Sequence, residues 1–342
     1  MTKTTLQQVA KHASVSPSTV SRFLNQTTFV SEEKSNAIQE AIQLLKFEIK
    51  NPIKKKDKQQ RTMTIGVLVQ NPESPYTSRI LEDMELELSR EGYNLVIVSG
   101  HWQNNLEISA LNYLKNTYVD GIIIIMGSLT NQQILAFTQH CPVVAIGYNI
   151  EGDNLYSISV DNNLGGYIAT LHLIQLGHEH IVHLKGVESQ PDAISRFEGY
   201  KQSLTDSGIT FNPRLVRNGE FSSEGGYRAI QTLLKSNVKF SAIFAANDQM
   251  AYGAMKALYD AKIKVPEQIS IIGFDDLPSS RFFTPALSTL RQPVEEIGVM
   301  CASSMLQLLK GQVVRAKLPP IELITRQTTI QFKSDDKRSP NH

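Results

Sequence analysis

Cysteine is scarce in this sequence, and long apolar runs are missing. The 342 residues include two cysteines, Cys141 and Cys301, which lie far apart and lack the spacing of a metal site. This excludes a disulfide scaffold and favours a reducing compartment. No apolar run reaches the length that spans a membrane. The N-terminus lacks the apolar core of a secretory signal, so we predict a cytoplasmic protein with no membrane partner.

Motifs for cofactors and catalysis are missing too. The sequence has no G-x-G-x-x-G, no Walker A loop and no G-x-S-x-G, so dinucleotide, nucleotide and hydrolase chemistry lack their signatures. His178, His180 and His183 form a cluster, but no cysteine or further acidic partner completes a zinc site. We therefore expect no metal, no cofactor and no enzyme activity.

Net charge is small, but its distribution is uneven. The chain has 34 Lys or Arg and 33 Asp or Glu, a net charge of +1. Residues 1–61 hold 11 basic and 5 acidic residues, a net charge of +6, which leaves −5 for the remainder. A basic N-terminal piece on an acidic body predicts nucleic-acid binding confined to one end.

The start of the basic piece predicts two short helices joined by a tight turn. The first has an apolar stripe at helical spacing, formed by Leu6, Val9, Ala10 and Ala13. Ser16 is a good N-cap for the second helix, and Pro17 suits its first position. Val20, Phe23 and Leu24 share the inward face of that helix, and Ser18, Ser21 and Arg22 share the outward face. Hydroxyls and a guanidinium on a short helix suit base edges in a major groove.

This run resembles the headpiece of the lactose/galactose repressor (LacI/GalR) family, which is all-α and carries a helix-turn-helix. The resemblance implies that the DNA-binding positions are Thr5, Leu6, Ser16, Pro17, Ser18, Thr19, Ser21, Arg22, Asn25 and Ser31. Ser31 can also cap a third helix, which completes a headpiece of residues 1–47. The alternative is a small helical subdomain with no nucleic-acid role.

Residues 48–62 are polar, rich in lysine and interrupted by Pro52, so we interpret them as a linker. In the family that the chain resembles, this segment forms a hinge helix that wedges a leucine into the minor groove. That leucine is absent here, and Ile53 is the nearest substitute. Lys54 and Lys55 could instead hold phosphates. A solvated tether without DNA contacts is the alternative.

From Met63 onward, strands and helices alternate. The predicted strands are Met63–Gln70, Asn94–Gly100, Gly121–Gly127, Val143–Gly147, one ending at Asp161, Ile181–Gly186, Leu215–Asn218, Ala242–Ala246 and Ile269–Phe274. Continuous apolar runs between helices predict parallel sheets covered on both faces. The alternation restarts after Gly177, so we predict two doubly wound α/β lobes, similar to periplasmic sugar-binding proteins, over residues 63–332. Residues 333–342 form a polar tail.

Polar residues at strand ends indicate an effector site between the lobes. By position, the candidates are Asp161, Asn247 and Asp275 at strand ends, Arg196 at a helix start, and Phe221 for stacking. The family resemblance implies effector contacts at Tyr76, Gln190, Asp192, Arg196, Phe221, Asn247 and Asp275, with Gln292 at a crossover between lobes. Asp161 and Asp275 could instead cap turns, Arg196 could serve a structural ion pair, and Phe221 could belong to the core. The resemblance also implies an alternative for Tyr76, a place in the dimer face.

These residue types favour a sugar or a sugar derivative as the effector. Gln190, Asp192 and Thr77 stand where purine-responsive members of the family are expected to have an arginine, a threonine and a stacking aromatic residue. A phosphosugar would need more cations than Arg196. We therefore predict a homodimeric transcriptional regulator, most simply a repressor, that binds double-stranded operator DNA under the control of a sugar-like effector. The alternatives are a periplasmic-type sugar-binding protein and a two-lobed enzyme.

Overall fold

The computed structural model describes residues 5–25, 31–45, 47, 61–188, 190–236 and 238–333. The chain forms two compact units, Met1–Arg61 and Thr62–His342. Among the described residues, no helix is both long and apolar enough to cross a membrane.

The first unit contains the three helices that the sequence predicts: α1 (Leu6–His12), α2 (Pro17–Asn25) and α3 (Glu32–Leu44). Their buried core consists of Val9, Ala10, Ala13, Val20, Ile38 and Ala41. The Ser16 hydroxyl accepts a hydrogen bond from the Thr19 amide at 3.1 Å, as the N-cap prediction requires. Ser31 occupies the N-cap position of α3, but its hydroxyl makes no capping hydrogen bond in the part of the chain that the structure describes, which corrects that prediction.

The second unit begins with a five-stranded, fully parallel sheet in the order β2-β1-β3-β4-β5. Its strands are β1 (Thr64–Val69), β2 (Asn94–Ser99), β3 (Gly121–Ile125), β4 (Val143–Ile146) and β5 (Leu155–Ile158). The helices in this half of the unit are α4 (Pro75–Arg90), α5 (Asn104–Asn116) and α6 (Asn131–Thr138). They cover the sheet on both faces, as its continuous apolar strands require. This sheet and its helices are lobe 1.

A second sheet has the order β11-β10-β9-β8-β6-β7 and is parallel except for the pair β10–β11. Its strands are β6 (Ile181–Lys185), β7 (Val216–Asn218), β8 (Ala242–Ala245), β9 (Ser270–Asp275), β10 (Ser288–Arg291) and β11 (Glu322–Ile324). Its helices are α7 (Asn162–Gln175), α8 (Pro191–Asp206), α9 (Ser223–Leu234) and α10 (Asp248–Asp260). They pack against both faces of the sheet. This sheet and its helices are lobe 2.

The chain passes between the lobes three times. It enters lobe 2 after β5 and returns to lobe 1 after β10, where α11 (Val294–Leu309) packs against α4 and the lobe 1 sheet. It then returns to lobe 2 as β11, so the two lobes are built from interleaved segments. The predictions of two lobes and of a crossover at Gln292 agree with this path. The sequence-based prediction missed β10 and β11.

The first two helices of lobe 2, α7 and α8, pack closely against each other. A methyl group at Gly166 on α7 would come within 2.2 Å of the Arg196 carbonyl oxygen on α8. A methyl group at Gly199 on α8 would come within 2.1 Å of the Asn163 carbonyl oxygen on α7. Only glycine permits this approach, which brings the N-terminus of α7 beside Arg196.

Candidate functional site

A cavity of about 160 Å³, lined by both polar and apolar side chains, lies between the lobes at the carboxyl ends of their strands. Eight of the nine predicted effector residues line it: Tyr76, Gln190, Asp192, Arg196, Phe221, Asn247, Asp275 and Gln292. The volume is below the roughly 300–1,000 Å³ of sites for drug-sized ligands, so it suits a smaller molecule.

Arg196 is the cationic centre of the cavity. It is buried, at 4 % exposure, and its Nε donates to the Asn162 Oδ1 at 2.8 Å. Its Nη1 donates to the carbonyl oxygen of Ala246 and lies 3.9 Å from the Asp275 carboxylate. The guanidinium carbon is 3.7 Å from the centre of the Phe274 ring. These contacts hold the guanidinium in one orientation and use part of its hydrogen-bonding capacity.

Asp275 sits at the end of β9, with a backbone φ of +120° that few non-glycine residues adopt. Its Oδ1 accepts a hydrogen bond of 2.7 Å from the Gln292 amide, and the Gln292 Oε1 in turn accepts one from the Tyr76 hydroxyl at 3.4 Å. Burial raises the pKa of Asp275 to about 6, although Arg196 and Gln292 act to lower it. Burial also raises the pKa of the Tyr76 hydroxyl, which therefore stays protonated.

Asp192 and Gln190 carry the polar groups at the start of α8. Asp192 Oδ1 accepts a hydrogen bond of 3.0 Å from the Asn162 amide, so Arg196 orients Asp192 through Asn162. Burial raises the pKa of Asp192, while Arg196 lowers it. The Gln190 Nε2 is buried and has no hydrogen-bond partner among the described residues. An orphan buried donor is unfavourable, so a ligand acceptor here would be stabilising.

Asn247, which follows β8, and Phe221, which follows β7, line the cavity from lobe 2 as well. Asn247 caps α10, because its Oδ1 accepts a hydrogen bond from the Met250 amide at 2.9 Å, and its Nδ2 donates to the Phe221 carbonyl at 3.2 Å. The Phe221 ring lies on Gly186, where a methyl group would come within 2.1 Å of the ring. Glycine at position 186 therefore lets Phe221 reach the cavity.

Asp248 lies directly behind this surface and is fully buried. Its carboxylate accepts hydrogen bonds from the hydroxyls of Thr289 and Ser280, at 2.6 and 2.5 Å, and from the Leu277 amide at 2.9 Å. Burial, followed by the charge of Asp275, raises its pKa to about 8. The Asp248 carboxylate therefore fixes the loop that follows Asp275 at the end of β9.

The structure does not bring Asp161 to the cavity. Its side chain is exposed and accepts a hydrogen bond from the Leu164 amide at 2.9 Å, which caps α7. The sequence analysis left open whether Asp161 binds the effector or serves as a cap, and its position in the structure is that of a cap. Trp102 and Glu220 also line the cavity. The sequence left open whether Trp102 packs beneath a loop or reports on the ligand, and it did not point to Glu220. Each residue follows the edge strand of its sheet, β2 for Trp102 and β7 for Glu220, and that position is the signal that could have revealed them.

The predicted DNA-contacting residues fall into three groups. Thr5, Ser16, Pro17, Ser18, Arg22 and Ser31 are exposed, while Thr19 and Ser21 are half-buried. Leu6 packs partly against the core of the first unit, so less of its surface is available to DNA than the prediction implies. Asn25 ends α2, but its side chain lies outside the described part of the chain, as do Ile53, Lys54 and Lys55.

The histidine cluster has structural contacts. His178 hydrogen-bonds with the hydroxyls of Ser241 and Ser270 at 2.9 and 3.1 Å. His183 is buried, with its Nδ1 3.2 Å from the Phe244 carbonyl, and burial lowers its pKa to about 3. Among the described residues, no group of His, Cys, Asp and Glu has the arrangement of a metal site.

Two family models match this chain. Residues 5–48 match the bacterial regulatory proteins of the lacI family, and residues 62–328 match the periplasmic binding proteins and sugar-binding domain of the LacI family. The chain belongs to the LacI family. This LacI-family chain therefore combines a DNA-binding regulatory headpiece with a small-molecule-binding domain, and the predicted family and fold class are confirmed.

Individual relatives agree with this assignment. The HTH-type transcriptional repressor PurR of Histophilus somni is 32 % identical over 330 residues, which cover 95 % of this chain and 98 % of the relative. The lac repressor dimer bound to operator and the anti-inducer ONPF superposes with a TM-score of 0.71 at 28 % identity, covering 96 % of this chain and all of the other. A LacI-family regulator of Enterococcus faecium with bound ribose has a TM-score of 0.71 at 28 % identity, covering 79 % of this chain and all of the other.

Proposed function

We propose that this LacI-family protein is a cytoplasmic, homodimeric repressor whose affinity for operator DNA is set by a small sugar bound between the lobes. The observation that carries the sugar assignment is the polar set of the cavity. Asp192 and Asp275 can accept hydrogen bonds from hydroxyls, the orphan Gln190 amide can donate one, and Phe221 offers an aromatic face. A sugar ring presents donors, acceptors and an apolar C–H face at this size.

Charge argues against a phosphorylated ligand. The cavity holds the carboxylates of Asp192 and Asp275 and one guanidinium, Arg196, which is already engaged by Asn162 and Ala246. A phosphate would lie near more negative than positive groups. The effector we propose is therefore an unphosphorylated sugar of about monosaccharide size.

A purine effector fits the cavity less well, although curated relatives of this chain are named PurR. Gln190 and Asp192 replace the arginine and threonine that purine-responsive members are expected to have, and Thr77 replaces a stacking aromatic. An acidic group at position 192 and a missing ring at position 77 remove two contacts to a planar base.

Operator binding is assigned to the headpiece, residues 1–47, with Ser18 and Arg22 of α2 facing the bases. Two headpieces of one dimer bind a two-fold operator more tightly than one, because the second binding event is intramolecular. The sugar changes operator affinity if it binds the two arrangements of the lobes with different affinities. The sugar is released chemically unaltered, since we assign no catalytic step to this site.

The test is enrichment of genomic DNA fragments on purified full-length protein, repeated with free sugars, sugar phosphates and purines. We expect a set of fragments that share a two-fold symmetric motif and whose retention responds to one free sugar. Asp275→Asn should retain operator binding and lose the response, whereas Asp206→Asn, a matched change at the far end of α8, should retain both. Enrichment of no fragment, or a response to purines alone, would contradict the proposal.

A further inference from the structure

The loop that follows the second strand of lobe 1 has an unusual backbone. The chain leaves β2 through Gly100, whose amide donates to the Val69 carbonyl at 2.8 Å, and the Gln103 amide donates back to the Gly100 carbonyl at 3.0 Å. Between them, His101 and Trp102 both have left-handed φ angles, +52° and +59°. Gln103 is then the N-cap residue of α5.

Lobe 2 carries the same loop after β7, its own second strand. The Gly219 amide donates to the Lys185 carbonyl at 2.8 Å, and the Ser222 amide donates back to the Gly219 carbonyl at 3.0 Å. Glu220 and Phe221 have left-handed φ angles of +54° and +53°. Ser222 is the N-cap residue of α9. The two loops therefore agree hydrogen bond for hydrogen bond, and each places an aromatic residue at its third position.

Both aromatic residues line the same cavity. A left-handed aromatic residue is strained, and such strain persists only where the surroundings enforce it. The surroundings of Trp102 do so, because its amide donates to the Oε1 of buried Gln70 at 2.8 Å, and the Gln70 Nε2 donates to the Met126 carbonyl at 3.0 Å. Lobe 1 is thus built to hold Trp102 at the cavity, as Gly186 lets lobe 2 hold Phe221 there.

We propose that Trp102 is a second stacking residue of the effector site and that the sugar ring lies between Trp102 of lobe 1 and Phe221 of lobe 2. This inference rests on the proposed function, since it takes the ligand to be a sugar. The face of an aromatic ring carries partial negative charge, which attracts the C–H groups of a sugar ring. A ligand held by one ring from each lobe stabilises the arrangement in which both lobes contact it.

The test combines calorimetry with tryptophan fluorescence on the full-length protein, using a panel of free monosaccharides. Trp102 is the only tryptophan, so the intrinsic emission reports this position alone. We expect that the sugar whose binding is detected by calorimetry also changes the tryptophan emission, and that the two methods give the same Kd. Trp102→Leu should weaken binding about tenfold, while Trp102→Phe should stay within about threefold of the wild type. Tyr113→Leu, an exposed aromatic of lobe 1 that lies outside the cavity lining, is the control and should bind as the wild type does.

The outcomes separate this inference from the proposed function. If a sugar binds by calorimetry while the emission of the wild type does not change, Trp102 is not a stacking residue and only the inference fails. Equal losses in Trp102→Leu and Tyr113→Leu would also overturn it, as would Trp102→Leu binding as tightly as the wild type. The wild-type fluorescence decides even if Trp102→Leu unfolds. If no sugar binds, the proposed function fails, and this inference fails with it.

Discussion

At the scale of single residues, Arg22 is the side chain most suited to reading a base. It is exposed on α2 beside the exposed Ser18, and Ser16 and Thr19 fix the start of that helix. An arginine can make two parallel hydrogen bonds to guanine, which a lysine cannot reproduce.

We predict that Arg22→Ala reduces the preference for operator over random DNA by about 1–3 kcal/mol. Fluorescence-anisotropy titrations against both DNAs measure this difference. Arg22→Lys, which keeps the charge, should lose most of the preference and retain more of the affinity for random DNA. If Arg22→Ala weakened binding to both DNAs equally, Arg22 would hold a phosphate instead.

The raised pKa of Asp275 leads us to predict how sugar binding depends on pH. Burial raises the pKa of this carboxyl to about 6, so in the free protein its protonation increases as the pH falls from 7.5 to 5. A sugar hydroxyl that donates to the carboxylate lowers this pKa, so binding releases a proton at low pH. We expect about tenfold weaker sugar binding at pH 5 than at pH 7.5.

Isothermal titration calorimetry in buffers of different ionisation enthalpy measures both the affinity and the proton release. Any sugar affinity that Asp275→Asn retains should not depend on pH in this range, and Asp206→Asn should preserve the dependence. An affinity that rose as the pH fell would show that the protonated form of Asp275 is the one that binds.

At the scale of helices and strands, a mutation of Asp161, the N-cap residue of α7, can distinguish a structural role from a ligand-binding role. We predict that Asp161→Ala lowers the free energy of unfolding by about 1 kcal/mol, because the Leu164 amide loses its acceptor. Sugar affinity should not change, since Asp161 lies outside the cavity. Urea unfolding and calorimetry give the two values. Asp161→Asn, which can still cap the helix, should be nearly as stable as the wild type. If Asp161→Ala lost sugar affinity while keeping its stability, Asp161 would be a ligand-binding residue after all.

Most elements of the second unit could be predicted from the sequence, because buried parallel strands appear as continuous apolar runs such as Ile122–Ile125. β10 and β11 could not, since they have only four and three residues, too few to show a periodic or continuous apolar pattern. β11 is an antiparallel edge strand defined by its pairing with β10, and that pairing leaves no periodic signal. The role of Trp102 could not be decided from the sequence for a related reason, because its position depends on a left-handed loop that its own residues do not favour.

At the scale of the whole molecule, each of the two units has its own core, which predicts that their activities can be separated. A fragment of residues 62–342 should bind the sugar within about twofold of the full-length Kd and should not bind operator DNA. Calorimetry and anisotropy test the two halves of this prediction. The full-length protein is the control, and a fragment that folds by circular dichroism yet binds no sugar would assign part of the site to the first unit.

The connection to the headpiece is fixed to lobe 1. The Asp120 carboxylate accepts hydrogen bonds from the amides of Thr62 and Met63, both at 2.8 Å, just where the second unit begins. The point at which the chain departs toward the headpiece therefore follows every displacement of lobe 1 and is independent of motion in lobe 2. In a dimer, the distance between the two departure points would depend on how the two copies of lobe 1 are oriented, so we expect a bound ligand to change operator affinity by rotating lobe 1.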